Sequence, residues 1–439
     1  MPSNLHIARE RIRLIIDDIL QVIYAPQKAF KSIVTNPKYL GALIVVLLFV
    51  GLEIGYEYSQ FSKTYTEQTS PSIDQLGTFT NASNWAAAPN VALTNNFDDY
   101  INYSIYVAGF GLPPSDSNAY YSLFGNNSMQ MSTSNTNTLT AALANTSNVD
   151  CSPSGFQNLT ISLKFVQPQT LPQNATLTLY SLGGVSDTYQ YNMASLLSNA
   201  TNSEWTNLTL PLGPNAVAWT SKGASSWSNI TSLQLYFTYP SSSNITVRVG
   251  ELFFHGEYQT PIQFNSTGIL LQFLQLFSLQ FVFAWFILTG IIYLVCRSQK
   301  NPVLWKPLFA VIGYALFIMV IRAIVNLAST FILPTVYYPY DLSLGARFDP
   351  FGALYYPSDA LGTLPAMSHT IFNNIDSSTM AFRDIVSGMF IVSYVWLGGV
   401  VALAIGALKP EFSTIKKIAI SAGSIAIVIL LLIFLVGAI

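Results

Sequence analysis

Two hydrophobic rhythms divide this chain. In residues 39–58, 269–295, 308–332, 385–408 and 418–438, apolar side chains run on with no polar face. Each stretch approaches or exceeds the roughly 20 residues that a helix needs to cross a hydrocarbon core of about 30 Å. A soluble helix apolar all round would lack a partner for half its surface, so five transmembrane helices are predicted. Within residues 158–254 the period shortens to two. Ile161, Leu163 and Phe165 alternate with polar neighbours, as do Leu177 and Leu179, then Leu208, Leu210 and Leu212, then Leu233, Leu235 and Phe237, then Ile245, Val247 and Val249. Such runs, broken by Pro, Gly and Ser clusters, describe half-buried antiparallel strands. The expected fold is a membrane α-helical bundle with an all-β, jelly-roll-like sandwich inserted at 59–268. Residues 60–125 are expected to add earlier strands, notably around 100–107, and the Ser/Thr/Asn-rich stretch 126–149 reads as a glycan-bearing loop or linker. Before the first span, Ile12, Ile15, Ile16, Ile19, Val22 and Ile23 recur at helical spacing as far as Pro26. This amphipathic helix either lies on the inner leaflet or binds a partner.

Charge gives the chain a direction. Of 19 Lys and Arg, six fall in residues 1–38 (Arg9, Arg11, Arg13, Lys28, Lys31, Lys38), three in 296–307 (Arg297, Lys300, Lys306) and three in 409–417 (Lys409, Lys416, Lys417). Short cytoplasmic loops retain positive charge, so residues 1–38 are expected in the cytoplasm, and residues 59–268 and the C-terminus outside the cell membrane. Eleven Asn-x-Ser/Thr sequons agree: Asn81, Asn102, Asn126, Asn145, Asn158, Asn174, Asn199, Asn207, Asn229, Asn244 and Asn265 all lie in the insert, which marks it for N-glycosylation. The first 38 residues lack the compact apolar core of a signal peptide, so the first span reads as an uncleaved anchor. A formal net charge of -2 offers no basic field for nucleic acid. Cys151 and Cys296, placed on opposite sides of the membrane, cannot pair.

Candidate chemistry is sparse. No HExxH, GxSxG, GxGxxG or P-loop spacing occurs; His6, His255 and His369 are scattered, and neither metal nor cofactor is expected. Asp187, Glu204 and Glu251 could offer oxygen ligands, but without the Asp-rich spacing of a calcium loop. Glu204 and Glu251 are also the pair that a glycan-cleaving enzyme could use. Asp341, Asp349, Asp359 and His369 show no catalytic spacing. Two ionisable residues fall inside spans, where burial is costly. Glu53 and Arg322 lie equally far along the first and third spans, about 21 Å from the inner face at 1.5 Å per residue. They form either an ion pair that fixes the helices, with Asn326 one turn beyond, or part of a gated proton or ion path. Gly51 with Gly55, and Gly398 with Ala402 and Gly406, permit close helix approach. Trp205, Trp219 and Trp227 are either a sugar-stacking platform or core and rim aromatics of the sandwich. The Tyr- and Pro-rich loop 333–384 is expected at the outer interface, where it could dock the β-domain.

Two resemblances follow. YAPQKAFKSIVTNPKYLGALIV, the segment KPLFAVIGYALFIMVIRAI with Gly313 and Tyr314, VWLGGVVALAIGALKPEFSTIKKIAIS and, more loosely, NNIDSSTMAFRDIVSGMFIVSYVW resemble the Yip domain family. These are five-helix membrane proteins known as partners of Ypt/Rab GTPases, with many prokaryotic members. The family's Asp-Leu-Tyr-Gly-Pro motif is absent and the long insert is a departure, so GTPase binding is not carried over. EWTNLTLPLG, AWTSKG, SWSNITSLQLYFTYP and SNITVRVGELFFHG resemble the last strands of jelly-roll carbohydrate-binding modules and galactose-binding-like domains.

The expectation is a multi-pass cell-membrane protein without catalysis of its own, a scaffold or surface-recognition protein displaying a glycosylated sandwich, in a setting that suits an archaeal envelope. Its partners are the lipid bilayer and envelope glycans or other membrane proteins. The alternatives are a transporter or permease component with an external substrate-capturing module, and an envelope enzyme acting on glycans. Oligomeric state is left open.

Overall fold

The structure, a computed structural model, describes residues 15–101, 104–106, 120–122, 127–182, 186–299, 302–340, 347–348, 354–355 and 366–436. Five helices are long and apolar enough to cross a membrane: Tyr39–Phe61, Ser266–Ser298, Trp305–Ser329, Asn373–Leu408 and Thr414–Leu432. Ahead of them, helix α1 (15–24) meets helix α2 (Pro26–Thr35) at Ala25. Pro26 has no N–H with which to extend α1, yet suits the first turn of α2. Ile15, Ile19, Val22, Ala29, Phe30 and Ile33 are buried in the same core as the spans, while Ile16, Leu20 and Ile23 face outward. The N-terminal stripe expected to meet a leaflet or a partner is thus partly spent on the bundle itself; Ile12 lies outside the described residues.

The spans are α3 (Tyr39–Phe61), α4 (Pro261–Ser298), α5 (Trp305–Ala315) joined at Leu316 to α6 (Phe317–Ser329), α7 (Ala366–Leu408) and α8 (Thr414–Val436). Residues 366–384, expected as loop, belong to α7. Their helical period is carried by Ile375, Thr379, Phe382 and Val386, which are buried, and no Gly or Pro interrupts 366–387. The closest helix approach differs from the expected one. A Cβ on Gly41 would fall 1.9 Å from the Tyr314 hydroxyl, and one on Gly313 would fall 2.5 Å from the Ala42 Cβ, so the Tyr314 ring of α5 rests on α3 at Gly41 and Ala42 of α3 fits against Gly313. By contrast, a Cβ on Gly51 meets nothing within 4 Å, and Gly55, Gly398 and Gly406 would meet only side-chain atoms at 3.5 Å or more. Four-residue spacing marks a smooth face but not which neighbour reaches it.

Residues 64–259 form the sandwich. Its strands are β1 (Thr64–Ser70), β2 (Trp85–Ala87), β3 (Ala92–Asn96), β4 (Ser104–Tyr106) paired with β5 (Tyr120–Ser122), β6 (Ser128–Leu143), β7 (Asn158–Gln167), β8 (Asn174–Ser181), β9 (Thr188–Asn192), β10 (Trp205–Pro211), β11 (Thr220–Lys222) and β12 (Ile230–Gln259). Every alternating run read from the sequence lies on or at the end of one of these strands. The stretch expected as a glycan-bearing loop is instead β6: Met129, Met131, Leu139, Ala141 and Leu143 are buried, a period of two that its Ser/Thr/Asn composition masked. Strands β6 and β12 run side by side through both layers. Their first pairing, Leu233 to Thr238 against Leu143 to Thr138, continues after a register break as Ile245 to Val249 against Thr133 to Met129. In a straight strand, residues ten apart would be about 33 Å apart. Yet Phe237 makes edge contact with Phe165 at 5.8 Å, and Phe165 is paired with Val247. The long strands therefore fold over at 239–244, giving one layer ordered β2-β6-β12-β8-β9-β11 and another ordered β3-β6-β12-β7-β10, with the apolar core between them.

Sandwich and bundle are joined tightly. Only Ser62 and Lys63 separate α3 from β1, and only Thr260, which caps α4 in a reciprocal box with Gln263, separates it from β12. Strands β1 and β12 pair, Thr66 opposite Gln259. The segment after α6 docks here as expected, although by a parallel pairing: β13 (Val336–Tyr338) adds to β1. Lys63 donates to the carbonyls of Thr330 and Leu333 at 2.7 and 2.8 Å, placing a cation at the carbonyl end of α6.

Candidate ligand-binding face

Because strand side chains alternate, the residues between the core positions of β6, β7, β10 and β12 share the outer face of one layer. Lys164 and Trp205 are cross-strand partners, as are Lys164 and Arg248, and Arg248 and Gln130. Asp99, on the loop after β3, reaches over them. It accepts from Lys164 Nζ at 2.8 Å, from Arg248 Nη1 and from Trp205 Nε1 at 3.3 Å, while Arg248 Nε donates to Gln130 Oε1 at 2.9 Å. Burial alone would push the Asp99 carboxyl up, but the two cations outweigh it and hold Asp99 below the usual carboxylate range. The Trp205 ring lies flat because its neighbour is Gly250: a Cβ there would come 2.7 Å from the ring. Lys164 Nζ is 5.8 Å from the ring centroid, within cation–π range.

Beside this group, the Ser162 hydroxyl lies 2.5 Å from Glu251 Oε2 and 2.7 Å from Asn207 Oδ1. One hydroxyl proton cannot serve two acceptors. Burial pushes Glu251 above the usual carboxylate range against the Ser162 contact, and a protonated Glu251 donating to Ser162, which donates to Asn207, satisfies all three. The polar row continues toward the bundle. The Thr160 hydroxyl is 3.1 Å from His255 Nε2, His255 Nδ1 is 2.9 Å from Glu67 Oε1, and Glu67 Oε2 accepts from the Tyr340 backbone N–H.

The three tryptophans do not make one platform. Trp219, 9% exposed, donates to the Pro211 carbonyl at 2.7 Å and meets Trp227 edge-on at 5.6 Å; Trp227 stacks on Tyr189 at 3.9 Å. These rings close one end of the core, and Trp205 stands apart from them. Asp187, Glu204 and Glu251 do not converge either: Asp187 holds the Ala224 N–H, Glu204 is exposed before β10, and Glu251 is buried. Among the described residues, no group of three His, Cys, Asp or Glu could hold a metal ion. Lys164, Arg248, Asp99 and Gly250 were not singled out by sequence. Their signal was scarcity, since residues 57–268 contain only four Lys and Arg and two of them meet one aspartate.

Within the bundle, the charges read from the sequence meet. Arg322 Nη2 lies 3.3 Å from Glu53 Oε1, with both side chains buried. Tyr394 of α7 is a further neighbour of Arg322, and Asn326, also buried, is one turn beyond on α6.

No protein-family profile matches the chain, and no curated protein sequence is similar to it. Solved structures that align with it include a family 11 carbohydrate-binding module from Clostridium thermocellum in complex with a β-1,3-1,4-mixed-linked tetrasaccharide (12% identity, 39% of this chain and 88% of that one, TM-score 0.23). The xylan-binding CBM22-1 domain of Paenibacillus barcinonensis Xyn10C aligns at 12% identity over 39% of this chain and 85% of that one, TM-score 0.21. At these scores the likeness decides nothing about this chain, whose sandwich stands on its own strand pairings.

Proposed function

We propose that this is a multi-pass membrane protein that holds a β-sandwich outside the cell and recognises glycan, or another polyhydroxylated envelope polymer, on the Trp205 face. The carrying observation is the half-exposed Trp205 ring laid over Gly250 and ringed by Lys164, Arg248, Asp99, Gln130 and Asn207. An apolar ring face suits the C–H face of a sugar, and fixed donors and acceptors around it suit hydroxyls. The N-terminal segment and the Lys/Arg-rich loops face the cytoplasm in this reading. The sequons support the outside placement of the sandwich, and the setting is an archaeal-type envelope. The bundle is Yip-like: Gly41 and Ala42 pack on Tyr314 and Gly313, joining two of the segments that carry that resemblance. The role is non-catalytic, since Glu251, a buried carboxylate of the face, is spent on Ser162 rather than aimed at a groove. The test is a glycan and envelope-polymer array probed with the full chain in nanodiscs. Saturable binding that falls roughly tenfold or more in Trp205→Ala, at the ~1–3 kcal/mol typical of a lost stacking contact, and persists in Trp227→Ala is expected. Binding unchanged in Trp205→Ala, or absent for every glycan, would overturn the proposal.

A further inference from the structure

A second site lies at the other end of the molecule, where the turn between α7 and α8 meets α2. An open cleft of about 800 Å³ lies there. One end is lined by Lys31 and Lys417 together with Pro26 and Gln27, which begin α2, and Thr414, which begins α8. Its wall along α7 is apolar and includes Leu403, Gly399 and Trp396. Among the described residues that line it there is no carboxylate.

Each feature of the polar end favours an anion. Two ammonium groups beside apolar walls repel each other in a medium less screening than water unless a negative charge lies between them. The starts of two helices, of 10 and 23 residues, add the positive ends of their dipoles. Pro26 brings no N–H and the Lys28 N–H bonds the Ala25 carbonyl, so Gln27 presents the N–H of the first turn of α2, and in α8 the Ser413 hydroxyl already accepts the Lys416 N–H at 3.3 Å. The apolar end favours a chain. From Trp396 to Leu408, α7 rises about 18 Å at 1.5 Å per residue, close to the ~15 Å of one leaflet of a 30 Å hydrocarbon core. Gly399 is exposed to the cavity, and a Cβ added there meets no atom within 4 Å, which leaves room along the wall.

We infer that this cavity binds one anionic phospholipid, its phosphate held by Lys31, Lys417 and the starts of α2 and α8, and one acyl chain laid along α7 past Leu403 and Gly399 toward Trp396. Basic pockets between membrane helices hold acidic headgroups by the same physics.

The experiment titrates delipidated full-length protein in detergent with phosphatidylglycerol and phosphatidylcholine of identical chains and counts retained lipid by native mass spectrometry. One phosphatidylglycerol per chain, held roughly tenfold more tightly than phosphatidylcholine, is expected. Lys31→Gln with Lys417→Gln abolishes that preference. Gly399→Leu, whose Cβ enters free space, lowers retention of both lipids about tenfold, with thermal unfolding confirming that the variant is folded. Equal retention of the two lipids by the unaltered protein, or full retention of phosphatidylglycerol by folded Gly399→Leu, overturns the inference. So does glycerol 1-phosphate competing as well as the lipid, because the site would then be one for a free phosphate.

Discussion

Three tryptophans that look alike in the sequence have different surroundings, and substitution should separate them. Trp219 fills the end of the sandwich core and satisfies the Pro211 carbonyl. Trp219→Ala is expected to cost about 3–5 kcal/mol, as for other buried aromatic truncations, read as a fall in the melting temperature of the full chain in detergent. Trp205→Ala should leave that temperature nearly unchanged. The two carboxylates of the face predict opposite pH slopes. Glu251 is raised by burial, so it binds its proton more tightly folded than unfolded. Its contribution is full below the unfolded carboxylate value and is lost as pH rises through the higher folded value. Glu251→Gln should therefore raise the melting temperature at neutral pH and not at mildly acid pH. Asp99 is pushed up by burial, but held below its usual value overall by Lys164 and Arg248. Its contribution is present above the usual aspartate value and lost as pH falls through the lower folded one, so Asp99→Asn should flatten the acid limb of the profile. A neutral-pH loss in Glu251→Gln would show that the carboxylate is stabilised in its ionised form.

Helix packing decides what the intramembrane charges do. Equal depth along two spans let the sequence place Glu53 and Arg322 level, and packing of α3 against α6 brings them within 3.3 Å. Glu53→Gln alone leaves a buried guanidinium without its counter-charge, expected to cost about 3–5 kcal/mol, whereas replacing both partners with apolar residues of similar size should restore most of the loss. Thermal denaturation in detergent of the two single variants and the double variant checks this. Additive losses would remove the pair from the account and favour a path for protons or ions. Strands behave differently from helices in how legible they are. The period of two gave β7, β8, β10 and β12 directly, because each carries its apolar side chains on one face. It missed β6, whose Thr and Asn positions mimic a linker, and α7 was shortened because its first turns are polar outside the stripe that Phe382 and Val386 bury.

At the scale of the whole molecule, sequons become a surface prediction. Asn145, Asn199 and Asn244 are exposed, whereas the Asn229 Oδ1 is buried and Asn265 lies within α4; Asn102 and Asn126 lie outside the described residues. Glycopeptide mass spectrometry of the native protein should find Asn145, Asn199 and Asn244 occupied and Asn229 and Asn265 bare; glycan on Asn229 would contradict this packing. The sequence by itself determined what local period and bulk charge can determine: five apolar helices, a sheet-forming insert and the side on which cations accumulate, because each follows from transfer of one face or one whole segment out of water. Only the tertiary structure decided that β6 and β12 fold over to make two layers, that Gly41 and Gly313 press on a neighbour while Gly51 does not, and that Trp205 joins Asp99, Lys164 and Arg248 while Trp219 and Trp227 do not. Those outcomes depend on which distant strand or helix lies alongside. That choice is made by the complementary fit of whole faces and leaves no period in the chain to read.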